Sequence, residues 1–193
     1  MNDIDLVNNV NKAFPKYPKT VYDKGWIYGV WYCGKKFTKA QLYGEYPATF
    51  FRRVVAMFPD VEEKKFLHLF SGSMGDGYGL TVDGSDEFNP DVTHVLKKDN
   101  PLPFKDNVFE VVLADPPYSK KDAEEYNLPY PTSELILKEA MRVLKPGGYF
   151  FLLHTMYPAY RRKEVKLVGL IGIITGFKSI TRLLSIFKKI SVA

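Results

Sequence analysis

Between residues 66 and 154 the chain repeats one pattern, a short and largely apolar run without strict alternation, followed by a polar turn. The runs fall at 66–70, 80–82, 93–96, 109–114 and 149–154. A strand with one face in water alternates apolar and polar residues. Apolarity without that alternation marks parallel strands buried on both faces of an α/β sheet. A helix expected over 133–144, with Thr132 or Ser133 as cap and Lys145-Pro146-Gly147-Gly148 as its stop, separates the last two runs. Two further β-rich runs at 165–175 and 181–190, joined by 176–180, suit an antiparallel pair. The connections 71–79 and 84–92 are each too short for the helical crossover of about ten to twelve residues that parallel strands normally take. The expected fold is therefore α/β, a mostly parallel sheet with one antiparallel strand and reduced helices between its first strands.

Ahead of this core, Tyr46-Pro47 opens a helix running to about Phe58, with Phe51, Val54, Val55 and Phe58 spaced along one face. Residues 22–46 are rich in tyrosine, hold both tryptophans (Trp26, Trp31), and fit either short strands or an aromatic-lined loop. Residues 1–20 are polar and read as a weakly ordered arm. The organisation expected is an aromatic-rich extension over 1–45 and one domain over 46–193.

Composition narrows the function classes. The first residues carry no apolar signal core, and the longest apolar stretch, 167–174, is far short of the roughly 18 residues of a membrane span. A single cysteine, Cys33, suits a reducing, cytoplasmic setting, and with three scattered histidines it makes a structural zinc site unexpected. The net charge of +5 is uneven: from Tyr160 onward there are eight Lys/Arg and one acid. Such an end attracts a polyanion such as nucleic acid, or simply keeps surface strands soluble.

The residues best suited to chemistry are Asp115-Pro116-Pro117-Tyr118, directly after the 109–114 run. Ligands of open α/β sheets bind beyond the carboxyl ends of strands, so this loop sits where a site belongs. An exocyclic amine on a nucleobase is a poor nucleophile because its lone pair is delocalised into the ring. A carboxylate and a backbone carbonyl that accept its two N–H bonds favour the pyramidal, reactive nitrogen. Two prolines hold those acceptors stiffly, and a tyrosine ring gives a base a face to stack on. The run 66–70 leads into Ser71-Gly72-Ser73, where small residues let a cofactor approach, with Gly75, Gly77 and Gly79 beyond. No Gly-Lys-Ser/Thr loop or dinucleotide fingerprint is present, which argues against ATP and NAD. Acids Asp83 and Asp99, the latter followed by Asn100, close the next two runs.

The stretch KKDNPLPFKDNVFEVVLADPPY, followed by LKEAMRVLKPGGYFFLLHT, resembles the core of the class I S-adenosylmethionine-dependent methyltransferases. Within them it is similar to the DNA adenine and cytosine amino-methyltransferases with an Asp/Asn/Ser-Pro-Pro-Tyr motif. The resemblance covers about 43–190. It implies a Rossmann-like seven-stranded sheet of order 3-2-1-4-5-7-6 and S-adenosyl-L-methionine as cofactor. It implies methylation of a nucleobase amine, foremost adenine N6 in DNA. An RNA base, a protein or small-molecule amine, or a catalytically weak scaffold are the alternatives. Phe70, Ser71, Gly72 and Ser73 then correspond to the cofactor loop, Asp83 to the ribose-binding acid, and Asp99 with Asn100 to the adenine contact. Tyr46 and Pro47 correspond to the segment at the methionine end, and Asp115 touches both cofactor and acceptor. Tyr118 would stack on the base, with Tyr126 and Tyr130 at the pocket edge in the long polar loop 119–131. Two departures stand out: Met74 or a displaced Gly75 replaces the family's second loop glycine, and no segment resembles a target-recognition domain. A nucleic-acid partner, DNA before RNA, and a second copy or second subunit supplying recognition or covering the first strands are expected from this. So is cover for those strands by the 22–46 segment.

Overall fold

A computed structural model describes residues 2–34, 46–74, 78–176 and 179–190. Residues 35–45 of the aromatic segment, Gly75, Gly77, and Phe177-Lys178 of the terminal hairpin lie outside the described residues.

The polar first segment forms a helix, α1 (Asp3–Ala13), where a weakly ordered arm was expected. Its start is a capping box: the Asp5 amide donates to Asn2 Oδ1 at 2.9 Å, and the Asn2 amide donates to Asp5 Oδ2 at 3.1 Å. Acids fill its first turn and Lys12 its last, as the helix dipole favours. Only Leu6, Val7 and Val10 are buried, so a narrow apolar stripe decides what overall polarity hides. The Asp3 carboxylate ties the helix to distant strands, accepting from Tyr149 Oη at 2.7 Å and Lys188 Nζ at 2.9 Å.

Residues 21–32 turn out to be strands, β1 (Val21–Asp23) and β2 (Trp26–Tyr32). Lys24 (φ 46°) and Gly25 (φ 83°) make the two-residue turn between them, both left-handed as such hairpins require. There follow α2 (Phe50–Met57), β3 (Phe66–Leu69), β4 (Leu80–Asp83), β5 (Val92–Thr93), β6 (Phe109–Ala114), α3 (Lys120–Glu125) and α4 (Ser133–Val143). The last three strands are β7 (Leu144–His154), β8 (Val165–Ile174) and β9 (Arg182–Lys189).

The nine strands of the described residues form one sheet, in the order β1-β2-β8-β9-β7-β6-β3-β4-β5. The seven strands from β3 onward lie in the 3-2-1-4-5-7-6 sequence, with β9 antiparallel to both β7 and β8. The expected count of seven is corrected to nine, because β2 pairs in parallel along the free edge of β8. Of the 22–46 segment expected to cover the first strands, the 21–32 portion instead extends the sheet at the opposite edge, and 35–45 lie outside the described residues. The third core strand is shorter than its apolar run, being confined to Val92–Thr93.

Helices cover the two faces unequally. Leu6, Val10, Phe50, Val54 and Met57 of α1 and α2 pack on Phe66, Val111, Phe151 and Ile186. On the other face α4 sets Ile136, Leu137 and Ala140 against Leu67, Val112 and Leu152. Each such side chain contributes about 1.5–3 kcal/mol. α2 is rotated from its expected phase: Phe50, Arg53, Val54 and Met57 point inward, while Phe51 and Val55 are partly buried. The cause is Arg53, only 1% exposed, whose guanidinium lies 4.2 Å from the Tyr17 ring centre and 5.0 and 5.4 Å from Phe14 and Trp31.

Among the described residues the two short connections hold no helix. Asp91 pins the second of them, its Oδ2 accepting from the Thr81 amide and hydroxyl, each at 2.8 Å. No helix of the described residues is long and apolar enough to cross a membrane.

Candidate active site

β6 ends at Ala114, and the next four residues turn across the carboxyl rim of the sheet. Asp115 is nearly enclosed, its side chain 11% exposed. Its Oδ1 accepts the Tyr118 hydroxyl at 2.5 Å, and its Oδ2 lies 3.5 Å from an Arg182 guanidinium nitrogen. Burial pushes the carboxyl up to about 6, although Arg182 and the Tyr118 hydrogen bond pull the other way. Arg182 stands over the Tyr118 ring at 5.5 Å, and the His154 ring meets the other ring edge-on at 5.1 Å. Three strands thus fix one group: β6 delivers Asp115, the first residue of β9 delivers Arg182, and the last of β7 delivers His154.

Tyr46 belongs to the same group. Its ring is buried, stacks with Phe51 at 6.3 Å and meets His68 edge-on at 6.1 Å. Its hydroxyl has no hydrogen-bond partner among the described residues, and burial followed by the nearby Asp115 charge raises its proton affinity far above the usual phenol. Pro47, also buried, opens α2 by accepting the Phe50 amide at 2.9 Å.

The loop after β3 carries the cofactor-type residues. Phe70 (φ 58°) and Gly72 (φ 51°) are both left-handed, and such a conformation in a bulky residue costs about 1–3 kcal/mol. Asp83 stabilises the turn, its Oδ2 accepting from the Gly72 amide at 2.8 Å and its Oδ1 from the Ser85 amide at 3.0 Å. Ser71 Oγ is buried beside this turn, without a hydrogen-bond partner among the described residues. Ser73 is partly buried.

Asp99 and Asn100 are not brought into this cleft. They occupy an exposed turn closed by hydrogen bonds between the Lys97 and Asn100 backbones, with Asn100 Nδ2 donating to the Val95 carbonyl. The cleft between β3 and β5 is walled there by His94, Leu96 and Leu102. The early end of β5 leaves the following residues free to turn outward.

The segment 119–131, read in the sequence as a loop, contains α3, capped by the Ser119 hydroxyl at the Asp122 amide. Tyr126 ends this helix within the field of both Asp115 and Asp83, and burial and those charges push its phenol up. Tyr130 is half-buried. Leu128 presses so closely on Gly84 that a Cβ there would meet its Cδ1 at 2.7 Å. Beside it the cleft lined by Leu69, Phe70, Val82, Asp83 and Gly84 encloses about 10 Å³, room for one water at most. A cavity of about 1040 Å³ opens at the other end of the strands, among Leu80, Phe88, Phe104 and Phe109, and none of the candidate site residues lines it.

Sequence reasoning missed Arg182 and His154, which lie 67 and 39 positions beyond Asp115 and meet it only through the sheet order. One available signal was the antiparallel hairpin, which brings the start of β9 to the rim where β6 and β7 end. No set of three or more His, Cys, Asp or Glu side chains among the described residues is arranged to hold a metal.

No protein-family model matches the chain, and no curated protein matches it. Among solved structures it is similar to TrmN from Thermus thermophilus, at 16% identity and a TM-score of 0.44 over 66% of this chain. That match spans only 44% of the TrmN chain. It is also similar to a SAM-dependent methyltransferase from Aquifex aeolicus, at 15% identity and a TM-score of 0.41 over 72% of this chain and 88% of that one. A methyltransferase from Pyrococcus furiosus is similar over 97% of both chains, at 16% identity and a TM-score of 0.41.

Proposed function

We propose that this chain transfers a methyl group from S-adenosylmethionine to an exocyclic amino nitrogen of a nucleobase, with adenine N6 in DNA as the foremost acceptor. The observation that carries the reading is the enclosed Asp115 carboxylate at the strand rim, hydrogen-bonded to the Tyr118 hydroxyl three residues on. That hydroxyl occupies the kind of donor position an incoming amine would take.

The donor set suits an adenosyl group. The left-handed turn at Gly72 brings backbone close, Ser71 Oγ lacks a partner among the described residues, and each Asp83 oxygen keeps a lone pair for a ribose hydroxyl. Leu128 fills the space beside Gly84, so binding requires the segment carrying α3 to withdraw. S-adenosylmethionine, when bound, supplies an electrophilic methyl group on a sulfonium. Asp115 and a carbonyl of the proline pair accept the N–H bonds of the amine as its nitrogen pyramidalises. Tyr118 releases Asp115 and stacks on the base, while Arg182 holds the carboxylate ionised. The amine proton then leaves to Asp115 or to water. A base inside a duplex cannot reach this pocket, so the acceptor enters flipped out or single-stranded.

The test is incubation with labelled S-adenosylmethionine and, separately, DNA, RNA and protein, followed by mass spectrometry of the digested product. N6-methyladenine in DNA is expected. Label in protein or a free amino acid, with none in either nucleic acid, overturns the reading.

A further inference from the structure

β2 carries a stripe of exposed side chains that the site does not use. Trp26, Tyr28, Val30 and Tyr32 alternate along the strand and are 45, 46, 40 and 52% exposed. They stand on the face opposite Ile27 and Trp31, which are buried against the helices. Their neighbours in register on β8 are Leu170 beside Tyr28 and Ile174 beside Tyr32, both only half-buried. Among the described residues no helix lies on this part of the sheet, and contiguous apolar surface of this kind marks an interaction site.

The stripe leads to the active rim. Tyr32 is in register with Ile174, Ile173 with Arg182, and Leu183 with His154. The strand end that displays Tyr32 is therefore the end at which Asp115, Arg182 and His154 converge. Cations flank the same face. Tyr160 packs edge-on against Phe187 at 5.5 Å, which lays the segment after β7 across this side of β9. Arg161, Arg162 and Lys163, all exposed, follow directly.

We infer that this face of β2 and β8 is a track for single-stranded DNA, with the rings of Trp26, Tyr28 and Tyr32 stacking successive bases and Arg161, Arg162 and Lys163 holding phosphates. The inference rests on the proposed nucleobase chemistry and names how its substrate is held. Side chains two apart on a strand are spaced by about 6.7 Å, which suits an extended single strand and not the closer stacking of a duplex. Aromatic stacking accepts any base, so the track holds substrate without reading sequence. The assignment to DNA rather than RNA follows the acceptor proposed above.

The test is titration of the full chain with a fluorescein-labelled 12-nucleotide single strand of DNA. Trp26 is the exposed tryptophan of the two, so binding quenches its emission in the unaltered protein. Trp26→Ala, Tyr28→Ala and Tyr32→Ala each lower affinity about tenfold. The triple Arg161→Gln, Arg162→Gln, Lys163→Gln variant flattens the salt dependence by up to about 2 in log–log slope. Methylation of free deoxyadenosine stays unchanged in the ring variants. If those variants bind as the wild type does while the oligonucleotide is still methylated, the track is wrong and the chemistry stands. If no nucleic acid is methylated or bound, the proposed chemistry fails with it. Tighter binding of the matching RNA, or of duplex, overturns the assignment to single-stranded DNA. A dimer in sedimentation that Tyr28→Ala dissolves makes the face a contact between copies instead.

Discussion

Replacing Asp115 with asparagine should stabilise the protein at neutral pH while destroying its chemistry. Enclosure lifts the carboxyl from its ordinary 3.8 to about 6. The folded state thus binds the proton more tightly than the unfolded chain does. That preference favours folding fully below pH 4 and is lost as pH rises through about 6. At about 1.4 kcal/mol per decade of proton affinity, the loss amounts to roughly 3 kcal/mol. Asparagine keeps an acceptor for the Tyr118 hydroxyl and carries no charge to desolvate. Arg182 loses its partner, but its side chain is 27% exposed and remains hydrated at little cost. The assay is urea unfolding of both proteins from pH 3.5 to 8, comparing them at each pH so that other titrating groups cancel. The two should coincide near pH 4, then diverge until the variant's midpoint lies roughly 1–2 M higher above pH 7. A difference that does not change with pH, or a wild type that is the more stable protein at pH 8, would refute the claim that this carboxylate is held ionised against its environment.

Arg182→Met should move the acidic limb of the rate profile from near pH 6 upward by about 1–3 pH units, because an adjacent cation favours the ionised carboxyl by that much; an unmoved limb removes Arg182 from the site. Asp115→Ala should cut methyl transfer at least about a hundredfold yet leave S-adenosylmethionine binding nearly intact by calorimetry, and near-normal turnover would sink its role. Asp83→Ala frees the Gly72 and Ser85 amides and should weaken cofactor binding by at least about tenfold; unchanged affinity would reduce Asp83 to a turn residue. Leu128→Ala should open the space beside Gly84 and tighten cofactor binding, measured in the same calorimeter, and equal or weaker binding would show that Leu128 does not block the site.

The parallel core was legible because β3 and β6 are buried on both faces, and largely apolar runs without alternation have few other causes. Asp115-Pro116-Pro117-Tyr118 was legible because one strand and one turn suffice to place it. The first 34 residues were not. The buried side of α1 consists of Leu6, Val7 and Val10 alone, and the Trp26–Tyr32 alternation shows a half-exposed strand without saying which strands it joins. α2 turned out of its expected phase because an arginine caged by three rings counts as polar in any pattern. Asp99 and Asn100 were placed by their position after an apolar run, but the strand under that run ends at Thr93. Arg182 was illegible for a different reason: its role depends on β9 lying beside β7, a long-range pairing that local pattern does not encode.

The pairing of β2 with β8 imposes a timetable. Ile27 is registered against Gly169, and Asp3 meets Lys188, 185 residues away along the chain. At ribosomal speeds of about 5–20 residues per second, the β1–β2 hairpin emerges roughly 7–30 seconds before the strand it must join. Throughout that interval β2 is paired with β1 alone and lacks β8 along its other edge, and the hairpin alone is too small to be stable. The first-made strand is among the last to be secured, and contacts this distant in sequence make folding slow. Newly made chains are therefore most at risk of sticking to one another through this hairpin, and cooling or slowing synthesis during expression lengthens the exposure of each chain.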